Sequence, residues 1–444
     1  MRITVIGTGY LGATHAACLA ELGYEVVGLD SDPAKVESLA RSELPFYEEG
    51  LPELLRRHVD AGGLHFTADP AQAADAEVVF VCVGTPQRSD GLAADTSQVV
   101  GAVEALVPLL TADTVVVGKS TVPVGTAAVL QGRADELARD GVRVRVAWNP
   151  EFLREGHAVD DTLRPDRLVL GVADEVAEKV LRELYADLID AGTPLVVTDL
   201  ASAELVKTSA NAFLATKISF INAVAELCEA TGADVVAVAE ALGHDVRIGR
   251  HALGAGLGFG GGCLPKDIRA LMARAGELGV DQALTFLREV DSINMRRRQR
   301  VVDLAVEELG GDLLGRRVAV LGAAFKPGTD DVRDSPALNV AAQLQLRGAH
   351  VVLYDPQAGD NARRAFPTLR HATSAAEAVA GADLVLHLTE WQEFLDLDPA
   401  PLAAAARRPV VIDGRNALDA QRWREAGWTV RGLGRPRLGP LAVA

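Results

Sequence analysis

The chain has 444 residues, with 44 Lys and Arg against 61 Asp and Glu and a formal charge of −17. Such a length predicts two or three globular domains. The acidic balance excludes a broad nucleic-acid surface, because phosphate backbones are bound by a dense face of Lys and Arg. No stretch reaches the roughly 18 apolar residues of a membrane helix, and four widely spaced cysteines indicate a reducing compartment. We therefore expect a cytoplasmic protein with neither nucleic-acid nor membrane partners.

The N-terminal part alternates strand and helix patterns. An apolar run from Arg2 to Ile6 is followed by the turn GTGYLG and by a helical pattern over 13–22. Strands that alternate with helices in this way predict a parallel sheet with helices on both faces. Further apolar runs predict strands over 24–29, 77–83, 114–118 and 142–147.

The C-terminal part repeats this pattern. Its predicted strands cover 317–321 and 350–354, on either side of a helix over 337–346. LAELGYEVVGLDSDP near the start parallels LQLRGAHVVLYDPQ in this half. We predict an α/β fold with two related, Rossmann-like, doubly wound parallel-sheet domains. In the second, Gly322-Ala-Ala-Phe replaces the G-x-G-x-x-G turn, so it should not hold a dinucleotide in the same way, which leaves a different nucleotide as its ligand.

A long helical pattern lies between the two halves. From Leu200 to Thr231 the chain has no Pro or Gly and carries small or apolar residues at helical spacing, which predicts a helix of roughly 45 Å. Such a helix suits a spine between domains, and an apolar face along it suits a dimer interface. We place the domains at 1–199, 200–299 and 312–444. The run Arg296-Arg297-Arg298 is expected to be an exposed helix face.

The first glycine turn has the features of a dinucleotide site. In such a turn Gly7 allows the tight bend, Gly9 lets a pyrophosphate approach the backbone and Gly12 lets the helix pack closely. Asp30 closes the next strand, where a carboxylate binds the ribose hydroxyls and repels a 2′-phosphate, so NAD is favoured over NADP. Lys35 is either an adenosine contact or a solvated helical lysine. A merely tight βα turn is the alternative for the whole motif.

The most reactive segment is the glycine-rich stretch that ends at Cys263. Six of the ten residues from Gly254 to Cys263 are glycine, so the backbone must approach another group closely. Pro265 and the helical pattern after it place Cys263 at a helix N-terminus, where the dipole and Lys266 favour a thiolate. Asp267, one turn on, is within reach to exchange a proton. A packing role is the alternative for Cys263, and it is the preferred interpretation for Cys18, Cys82 and Cys228.

Pairs of polar residues elsewhere in the sequence suit the stabilisation of an oxyanion or the activation of water. Lys207 and Asn211 lie one turn apart on the long helix and together suit an oxyanion, with an exposed lysine as the alternative. Glu151 and Glu155 follow a strand end, where one of them suits a base toward water and a helix cap is the alternative. The nine histidines show no metal-ligand spacing, so no metal site is expected. Strand ends also precede two threonines that suit either a nicotinamide rim or plain turns, Thr85 and Thr121.

Taken together, eight motifs in order resemble the UDP-glucose/GDP-mannose 6-dehydrogenase family over nearly the whole chain. They are GTGYLG at 7–12, GTP at 84–86, STVPVGT at 120–126, NPEFLREG at 149–156, ELVKTSANAFLATKISFIN at 204–222, GFGGGCLPKD at 258–267, FKPGTDDVRDSP at 325–336 and DGR at 413–415. The chain departs from the family pattern at Gly262, where serine is common, and in INAVAEL, where an acidic residue often follows the asparagine.

The resemblance implies a metal-free, NAD-dependent, four-electron oxidation of a sugar C6 alcohol to a carboxylate, with two NADH released. It makes Cys263 the nucleophile that carries a thiohemiacetal and then a thioester. It further implies that Lys207 and Asn211 hold the oxyanion and that Asp267 transfers a proton or positions water. Glu151, together with Thr121, would activate the water that cleaves the thioester.

Binding residues also follow from the resemblance. The implied NAD contacts are Gly7, Gly9, Tyr10, Leu11, Gly12, Asp30, Lys35, Thr85, Thr121, Glu155 and Arg333. The implied contacts of the nucleotide sugar are Glu151, Phe152, Leu153, Lys207, Asn211, Arg250, Phe259, Gly260, Lys326 and Arg415, with Arg250 reaching the substrate of a neighbouring subunit in a homodimer. UDP-glucose is the expected substrate, GDP-mannose or a UDP-N-acetylhexosamine is the alternative, and a non-catalytic nucleotide-sugar or NAD sensor is the alternative of another class.

Overall fold

The computed structural model describes residues 1–441, and these fold as two compact units. Unit 1 comprises residues 1–210 and 269–281, and unit 2 comprises residues 211–268 and those from 282 onward. The last three residues of the predicted C-terminal domain, 442–444, lie outside the described residues.

Unit 1 is built on an eight-stranded sheet. Its strands are β1 (Arg2–Ile6), β2 (Glu25–Leu29), β3 (Leu64–Thr67), β4 (Val78–Val81), β5 (Thr114–Gly118), β6 (Val144–Trp148), β7 (Leu168–Gly171) and β8 (Leu195–Thr198). The helices between them are α1 (Tyr10–Glu21), α2 (Pro33–Ala40), α3 (Leu51–Asp60), α4 (Ser97–Leu106), α5 (Thr126–Leu137), α6 (Ala158–Leu163), α7 (Glu175–Leu184) and α8 (Ala186–Asp190).

The strand order of this sheet is β3-β2-β1-β4-β5-β6-β7-β8. The first six strands are parallel and follow the order of a dinucleotide-binding Rossmann sheet, which confirms the predicted doubly wound fold. The last two strands run the other way, because β7 pairs antiparallel with β6 and parallel with β8. Between β6 and β7 the chain carries a loop and the six-residue helix α6 in place of a full crossover helix.

Both faces of this sheet are covered. Along β4, Val78 and Phe80 join one apolar cluster, whereas Val79 and Val81 join another on the opposite face. All four side chains are buried, so the continuous apolar run in the sequence reflects burial on both sides. Because β1 and β4 are neighbours in the sheet, the loops after them diverge at its carboxyl edge. Ligands of doubly wound sheets bind in this crevice.

Unit 2 contains a six-stranded parallel sheet with the order β11-β10-β9-β12-β13-β14, which repeats the order of the first six strands of unit 1 and confirms the internal repeat. Its strands are β9 (Arg317–Leu321), β10 (His350–Tyr354), β11 (Arg370–His371), β12 (Leu384–His387), β13 (Val410–Asp413) and β14 (Thr429–Gly432). Its covering helices are α13 (Pro336–Leu346), α14 (Gly359–Ala365), α15 (Ala375–Val379), α16 (Gln392–Asp396), α17 (Pro399–Ala405) and α18 (Ala420–Glu425).

The turn after β9 is closed by the protein itself. Oδ2 of Asp355 accepts hydrogen bonds from the amides of Ala323 and Ala324 at 2.7 and 2.9 Å and from the indole of Trp391 at 3.0 Å. A Cβ placed on Gly322 would lie 2.5 Å from Thr389. The carboxylate thus serves the fold of its own turn, which is a structural reason to expect a different ligand here than in unit 1.

Four helices lie between the two sheets in the chain: α9 (Leu200–Thr231), α10 (Val235–Gly243), α11 (Leu264–Glu277) and α12 (Phe286–Glu308). The helix α9 has the bounds that the sequence predicts, and it runs from unit 1 into unit 2. Over residues 1–441, no helix is long and apolar enough to cross a membrane.

The arginine run on α12 is mostly buried, so the prediction of an exposed face is wrong. Arg297 and Arg298 are 0% and 2% exposed, whereas Arg296 is 50% exposed. Nε of Arg297 donates to the carbonyl of Gly256 at 3.2 Å, and Arg298 pairs with Asp334 at 2.7 Å. These partners come from other parts of unit 2, and a run of like charges in the sequence carries no sign of them.

Candidate active site

The turn after β1 forms a cradle for a dinucleotide. Gly7 has a left-handed φ of 86°, and its amide donates to the carbonyl of Leu29 at 2.8 Å. A Cβ on Gly12 would lie 1.8 Å from the carbonyl oxygen of Gly7, so α1 packs against the turn as only glycine allows. Apart from its chain neighbours, no described residue comes within 4 Å of a Cβ placed on Gly9. This open space fits a pyrophosphate at the N-terminus of α1.

Asp30 is a fixed carboxylate at the end of β2. Its Oδ2 accepts hydrogen bonds from the amide of Thr8 and the ammonium of Lys35, both at 2.8 Å, and Oδ1 accepts from the amide of Asp32 at 3.0 Å. Burial acts to raise the pKa of Asp30, but these donors outweigh it and hold the pKa below its usual range. The carboxylate is therefore ionised and suited to ribose hydroxyls. Lys35 is anchored to Asp30, so it is not the solvated lysine of the alternative interpretation.

A buried carboxylate, Glu48, ties the start of α1 to the loop before α6. Glu48 is 1% exposed and accepts hydrogen bonds from the amides of Gly156 and Ala158 at 2.6 and 2.7 Å. The hydroxyl of Tyr10 also donates to Glu48. Burial and the Glu48 carboxylate raise the pKa of Tyr10, and Glu155 raises it further, so the phenol remains a donor.

Thr85 and Thr121 meet at the carboxyl edge of the first sheet. They follow β4 and β5, which are neighbouring strands. Oγ1 of Thr85 donates to the carbonyl of Thr121 at 2.7 Å, and Oγ of Ser120 donates to the carbonyl of Val83 at 2.7 Å. The structure thus brings together two residues that the sequence proposes for the nicotinamide rim.

Glu151 and Lys207 form a nearly buried ion pair in unit 1. Their charged atoms lie 3.3 Å apart, and the side chains are 13% and 7% exposed. The ring of Phe152 lies beside them, with its centroid 5.7 Å from Nζ of Lys207 and 3.8 Å from the guanidinium of Arg167. The loop that carries Glu151 ends where α6 begins at Ala158, so Glu151 is not the helix cap of the alternative interpretation. The pair sets a carboxylate base next to an ammonium.

Cys263 stands directly before α11. Its carbonyl accepts the amide of Asp267 at 3.0 Å, and its side chain is exposed, whereas the other three cysteines are buried. The positive end of the helix dipole favours a thiolate at this position. By contrast, burial raises the pKa of Cys18 and of Cys82 to about 12, which keeps those thiols protonated. The packing role expected for the other three cysteines is confirmed by their burial.

Asp267 is the centre of a buried polar group in unit 2. The side chain is 1% exposed, Oδ2 accepts a hydrogen bond from Nδ2 of Asn211 at 2.6 Å, and Oδ1 pairs with the ammonium of Lys266. Lys266 thus forms an ion pair with Asp267. The sequence had suggested that its charge acts on the thiol of Cys263. The predicted catalytic residues therefore fall into two groups, one in each unit, and α9 carries a member of both on consecutive turns: Lys207 with Glu151, and Asn211 with Asp267 beside Cys263.

The glycine-rich segment before Cys263 is clamped by α12. Asn294 accepts the amide of Phe259 at 2.8 Å and donates to its carbonyl at 3.0 Å. Gly258 has a φ of 91°, and a Cβ there would lie 2.3 Å from Oδ1 of Asn294. A Cβ on Gly260 would lie 2.3 Å from the carbonyl oxygen of Asp334. The close approach predicted for this segment is therefore made to the protein itself.

Arg415 connects this segment to the second sheet. Its guanidinium donates to the carbonyl oxygens of Leu388, Gly258 and Phe325 at 2.8, 3.0 and 3.0 Å. Three backbone carbonyls thus orient the side chain, and one of them belongs to Gly258, which precedes Phe259 in the chain. Arg415 organises the loops to which the sequence assigns the nucleotide sugar.

The other basic residues proposed for binding lie in unit 2. Arg333 pairs with Asp331, and its guanidinium lies 2.5 Å from where a Cβ on Gly262 would be. The glycine before Cys263 thus makes room for Arg333, and a serine there would require the guanidinium to move. Nζ of Lys326 lies 5.8 Å from the neighbouring phenylalanine ring, and Arg250 is exposed.

Buried polar residues near Glu151 complete the site, although the sequence pattern did not single them out. Lys119 follows β5, is 9% exposed and donates to Oδ1 of Asn149 at 2.9 Å. The hydroxyl of Tyr185 donates to the same oxygen at 2.7 Å. A usable signal was present, because Lys119 stands at the carboxyl end of a buried parallel strand, where ligands bind.

Three regions of the chain match models of one protein family. Residues 1–189 match the NAD binding domain of the UDP-glucose/GDP-mannose dehydrogenase family, residues 201–296 match its central domain and residues 319–420 match its UDP binding domain.

Relatives match over the full length. The chain is 43% identical to the UDP-glucose 6-dehydrogenase of Pseudomonas aeruginosa, with 99% of this chain and 98% of that protein covered. It is 41% identical to the UDP-glucose 6-dehydrogenase YwqF of Bacillus subtilis, with 99% of each covered. A solved UDP-glucose dehydrogenase from Pyrobaculum islandicum superposes with a TM-score of 0.90 at 39% identity over 98% of both chains. The UDP-D-ManNAc dehydrogenase of Pyrococcus horikoshii gives 0.85 at 28% identity, over 98% of this chain and 99% of that one.

Proposed function

Because the chain belongs to the UDP-glucose/GDP-mannose dehydrogenase family, we propose that it oxidises the C6 alcohol of UDP-glucose to the carboxylate of UDP-glucuronate, with two NAD reduced per sugar. The observation that carries the proposal is the exposed Cys263 at the N-terminus of α11, one turn from the buried pair Asn211 and Asp267. Relatives named for UDP-glucose are 39–43% identical to the chain, whereas a relative named for UDP-D-ManNAc is 28% identical, which favours UDP-glucose.

The cradle of unit 1 fits NAD. Gly9 leaves space for the pyrophosphate, and the ionised Asp30 suits the ribose hydroxyls. When bound, NAD supplies the hydride acceptor for both oxidation steps. In the proposal Tyr10, Thr85 and Thr121 line this cofactor, and Glu48 holds Tyr10 in place.

The first oxidation removes a proton from the C6 hydroxyl and a hydride from C6, which leaves an aldehyde. Asp267 accepts the proton in the proposal, since its carboxylate is fixed by Asn211 and Lys266. Asn211 and Lys207 stabilise the oxygen on which negative charge develops.

The second oxidation requires a nucleophile, because an aldehyde carbon does not readily lose a hydride until it is tetrahedral. The thiolate of Cys263 attacks C6, the π electrons move to the oxygen, and this oxygen takes the proton held by Asp267, so that a thiohemiacetal forms. Loss of a hydride from C6 to a second NAD and return of the hydroxyl proton to Asp267 then leave a thioester on Cys263. The helix N-terminus favours the thiolate that this step consumes.

Water completes the reaction. Glu151 takes a proton from the water that attacks the thioester carbonyl, the C–S bond breaks, and the sulfur leaves as a thiolate. The product is the carboxylate. Lys207 lies 3.3 Å from Glu151 and stabilises the oxyanion of this step, and Thr121 orients the water.

The proposed contacts of the nucleotide sugar include residues of the region that matches the UDP binding domain. The family's UDP binding domain matches residues 319–420, which contain Lys326 and Arg415. These basic side chains allow an acidic protein to bind a diphosphate locally. The remaining proposed contacts are Phe152, Leu153, Lys207, Asn211, Phe259 and Gly260, together with Glu151.

A homodimer is proposed through α9. Phe213, Phe220 and Leu227 are 67%, 56% and 66% exposed, and they recur every seven residues along this helix. Large apolar residues at heptad spacing form a seam that a second helix covers. We expect Phe220→Asp to convert a dimer to a monomer in sedimentation experiments, and the proposed contribution of Arg250 to a partner's substrate would be lost with it.

Four free cysteines are in keeping with a cytoplasmic enzyme.

The proposed substrate is tested by counting NADH against limiting sugar nucleotide. UDP-glucose, GDP-mannose and UDP-N-acetylmannosamine are supplied separately, and the expected result is two NADH per UDP-glucose with far slower turnover of the other two. Turnover of GDP-mannose but not of UDP-glucose would overturn the substrate assignment. A protein that binds these ligands without forming NADH would be a sensor.

A further inference from the structure

Lys119 is a buried cation to which the proposed reaction assigns no role. Its side chain is 9% exposed, and Nζ donates to Oδ1 of Asn149 at 2.9 Å. Asn149 is 1% exposed and is held on two further sides, because Nδ2 donates to the carbonyl of Val169 at 2.9 Å and Oδ1 also accepts the hydroxyl of Tyr185 at 2.7 Å. Pro150 alone separates Asn149 from Glu151, and its restricted φ transmits the fixed position of Asn149 to Glu151.

Lys119 and Glu151 line the same cavity. The cavity has a volume of about 50 Å³, and His15, Asn149 and Tyr185 are also in its wall. An ammonium has three N–H donors, and in the described part of the chain Asn149 accepts one of them. A water molecule needs roughly 10–15 Å³ of such space, so a few water molecules fit between Lys119 and Glu151.

Three titratable neighbours of Lys119 are uncharged, namely Cys82, Tyr185 and His15. The charges that act on Lys119 are therefore those of Glu151 and Lys207. Burial raises the pKa of Cys82 to about 12 and also raises the pKa of Tyr185. Burial, together with Lys119 itself, holds the pKa of His15 well below its usual value, so this imidazole is neutral. The attraction of Glu151 favours the charged form of Lys119, and the repulsion of Lys207 opposes it.

Two further charged groups line the cavity, and each is engaged elsewhere. Asp161 accepts a bidentate hydrogen bond from Arg154, at 2.6 and 2.9 Å. Arg167 lies over the ring of Phe152 at 3.8 Å. Glu151 therefore stands between two lysines, one in direct contact and one across the cavity.

The charge of Lys119 is maintained against burial. Burial, which Glu151 offsets only in part, lowers the pKa of Lys119 to about 8. A side chain needed only for packing would avoid such a penalty as a methionine or leucine of similar volume. A buried charge retained next to a proposed base points to a role in the reaction.

We propose that Lys119 is a positioning residue for thioester hydrolysis, which fixes Glu151 through Asn149 and, by the attraction of its charge across the cavity, holds the Glu151 carboxylate in place. This inference rests on the proposed function, in which Glu151 activates the water that cleaves the thioester on Cys263. Lys119 does not touch the substrate in this scheme, and its effect is confined to the step that Glu151 performs.

The test separates charge from hydrogen bonding. Lys119→Met removes both, Lys119→Gln keeps a donor toward Asn149 without the charge, and Tyr185→Phe removes only the other hydrogen bond to Asn149. Stopped-flow absorbance follows NADH in a single turnover, and mass spectrometry of quenched samples follows the acyl-enzyme. We expect both Lys119 variants to slow acyl-enzyme decay at least tenfold, with the first hydride transfer and the KM for NAD within threefold of wild type. Tyr185→Phe should slow decay less than threefold.

The pH profile supplies a second readout. Acyl-enzyme decay in the wild type should slow as the pH rises above about 8, where Lys119 loses its charge, and this limb should be missing in Lys119→Gln. Decay at the wild-type rate in Lys119→Gln, or an equal loss in Tyr185→Phe, would overturn the inference. If the wild type forms no acyl-enzyme and gives one NADH per sugar, the proposed function itself fails, and that result is visible before any variant is made.

Discussion

Asn211 donates a 2.6 Å hydrogen bond to Asp267, and this contact joins α9 to the first turn of α11. The amide of Asp267 in turn donates to the carbonyl of Cys263 at 3.0 Å. One turn of helix therefore holds an exposed thiol and a buried, oriented carboxylate. A nucleophile and a proton acceptor with a fixed separation are what a covalent oxidation at a single carbon requires.

Replacing the buried carboxylate should slow the chemistry without weakening cofactor binding. Asp267→Asn keeps the size of the side chain but removes the negative charge that Lys266 and Asn211 stabilise. We expect kcat to fall by about 10²–10³, the range for loss of a general acid–base group, while the KM for NAD changes less than threefold. Steady-state kinetics measure both. Lys266→Gln is the matched control, and we expect it to lose less activity because the carboxylate remains; a nearly wild-type Asp267→Asn would contradict the role of Asp267.

Loss of the ammonium beside Glu151 should affect thioester hydrolysis. Lys207→Met leaves the 13% exposed Glu151 without its ion-pair partner and removes a cation from the developing oxyanion. We expect hydrolysis to slow about 10²-fold, as on removal of one oxyanion donor. Single-turnover decay of the acyl-enzyme measures it. Lys217→Met on the same helix, where the lysine donates to the carbonyl of Ile248, should leave the rate unchanged. An unchanged rate in Lys207→Met would exclude the proposed role.

The clamped glycine should be intolerant of a single methyl group. In Gly258→Ala the Cβ would lie 2.3 Å from Asn294, and the alanine would have to adopt a φ of 91°. A steric clash and a strained backbone therefore both oppose this substitution. We expect a destabilisation of about 1–3 kcal/mol, measured as a lower Tm. Gly254→Ala is the control, because in the described part of the chain its Cβ meets no atom within 4 Å, and it should shift stability by less than about 0.5 kcal/mol. Equal effects of the two variants would show that Gly258 is not constrained.

Removal of the buried ammonium should stabilise the protein at neutral pH. The pKa of Lys119 falls from 10.5 in the unfolded chain to about 8 in the fold, so between these pH values the unfolded chain binds more protons and stability rises with pH. Below pH 8 the folded protein carries the full free-energy cost of burying the charged Lys119. We expect Lys119→Met to gain about 1–3 kcal/mol at pH 7, after loss of its hydrogen bond, and no such gain near pH 10.5.

Urea unfolding at both pH values measures this difference. If Lys119→Met is several kcal/mol less stable than the wild type at pH 7, Lys119 is retained because it stabilises the fold. Together with slowed hydrolysis, a gain in stability would mark Lys119 as a residue retained for activity.

Local patterns in the sequence predict most of the fold. The bounds of α9 follow from a run without Gly or Pro, and the parallel sheets follow from the alternation of strands and helices. The strands β7 and β8 and the antiparallel pairing of β7 with β6 were not predicted. The glycines before Cys263 correctly indicate a close backbone approach. Their partners could not be named, because Asn294 and Asp334 come from distant parts of the chain.

The pairing of side chains in the candidate site could not be predicted. Lys207 and Glu151 are 56 residues apart, as are Asn211 and Asp267, so spacing along α9 could not name the carboxylate that each side chain contacts. The structure gives each its own carboxylate. Arg297 and Arg298 show the same limit, because a run of charges is typical of solvent exposure unless the partners brought by tertiary packing are known.

The count of NADH per sugar tests covalent catalysis at Cys263. Limiting UDP-glucose is incubated with excess NAD and either the wild type or Cys263→Ser, and NADH is measured by the absorbance of the reduced nicotinamide. We expect two NADH per sugar for the wild type. We expect at most one for Cys263→Ser, with the aldehyde as the product. Two NADH per sugar at the wild-type rate from Cys263→Ser would contradict covalent catalysis at this residue.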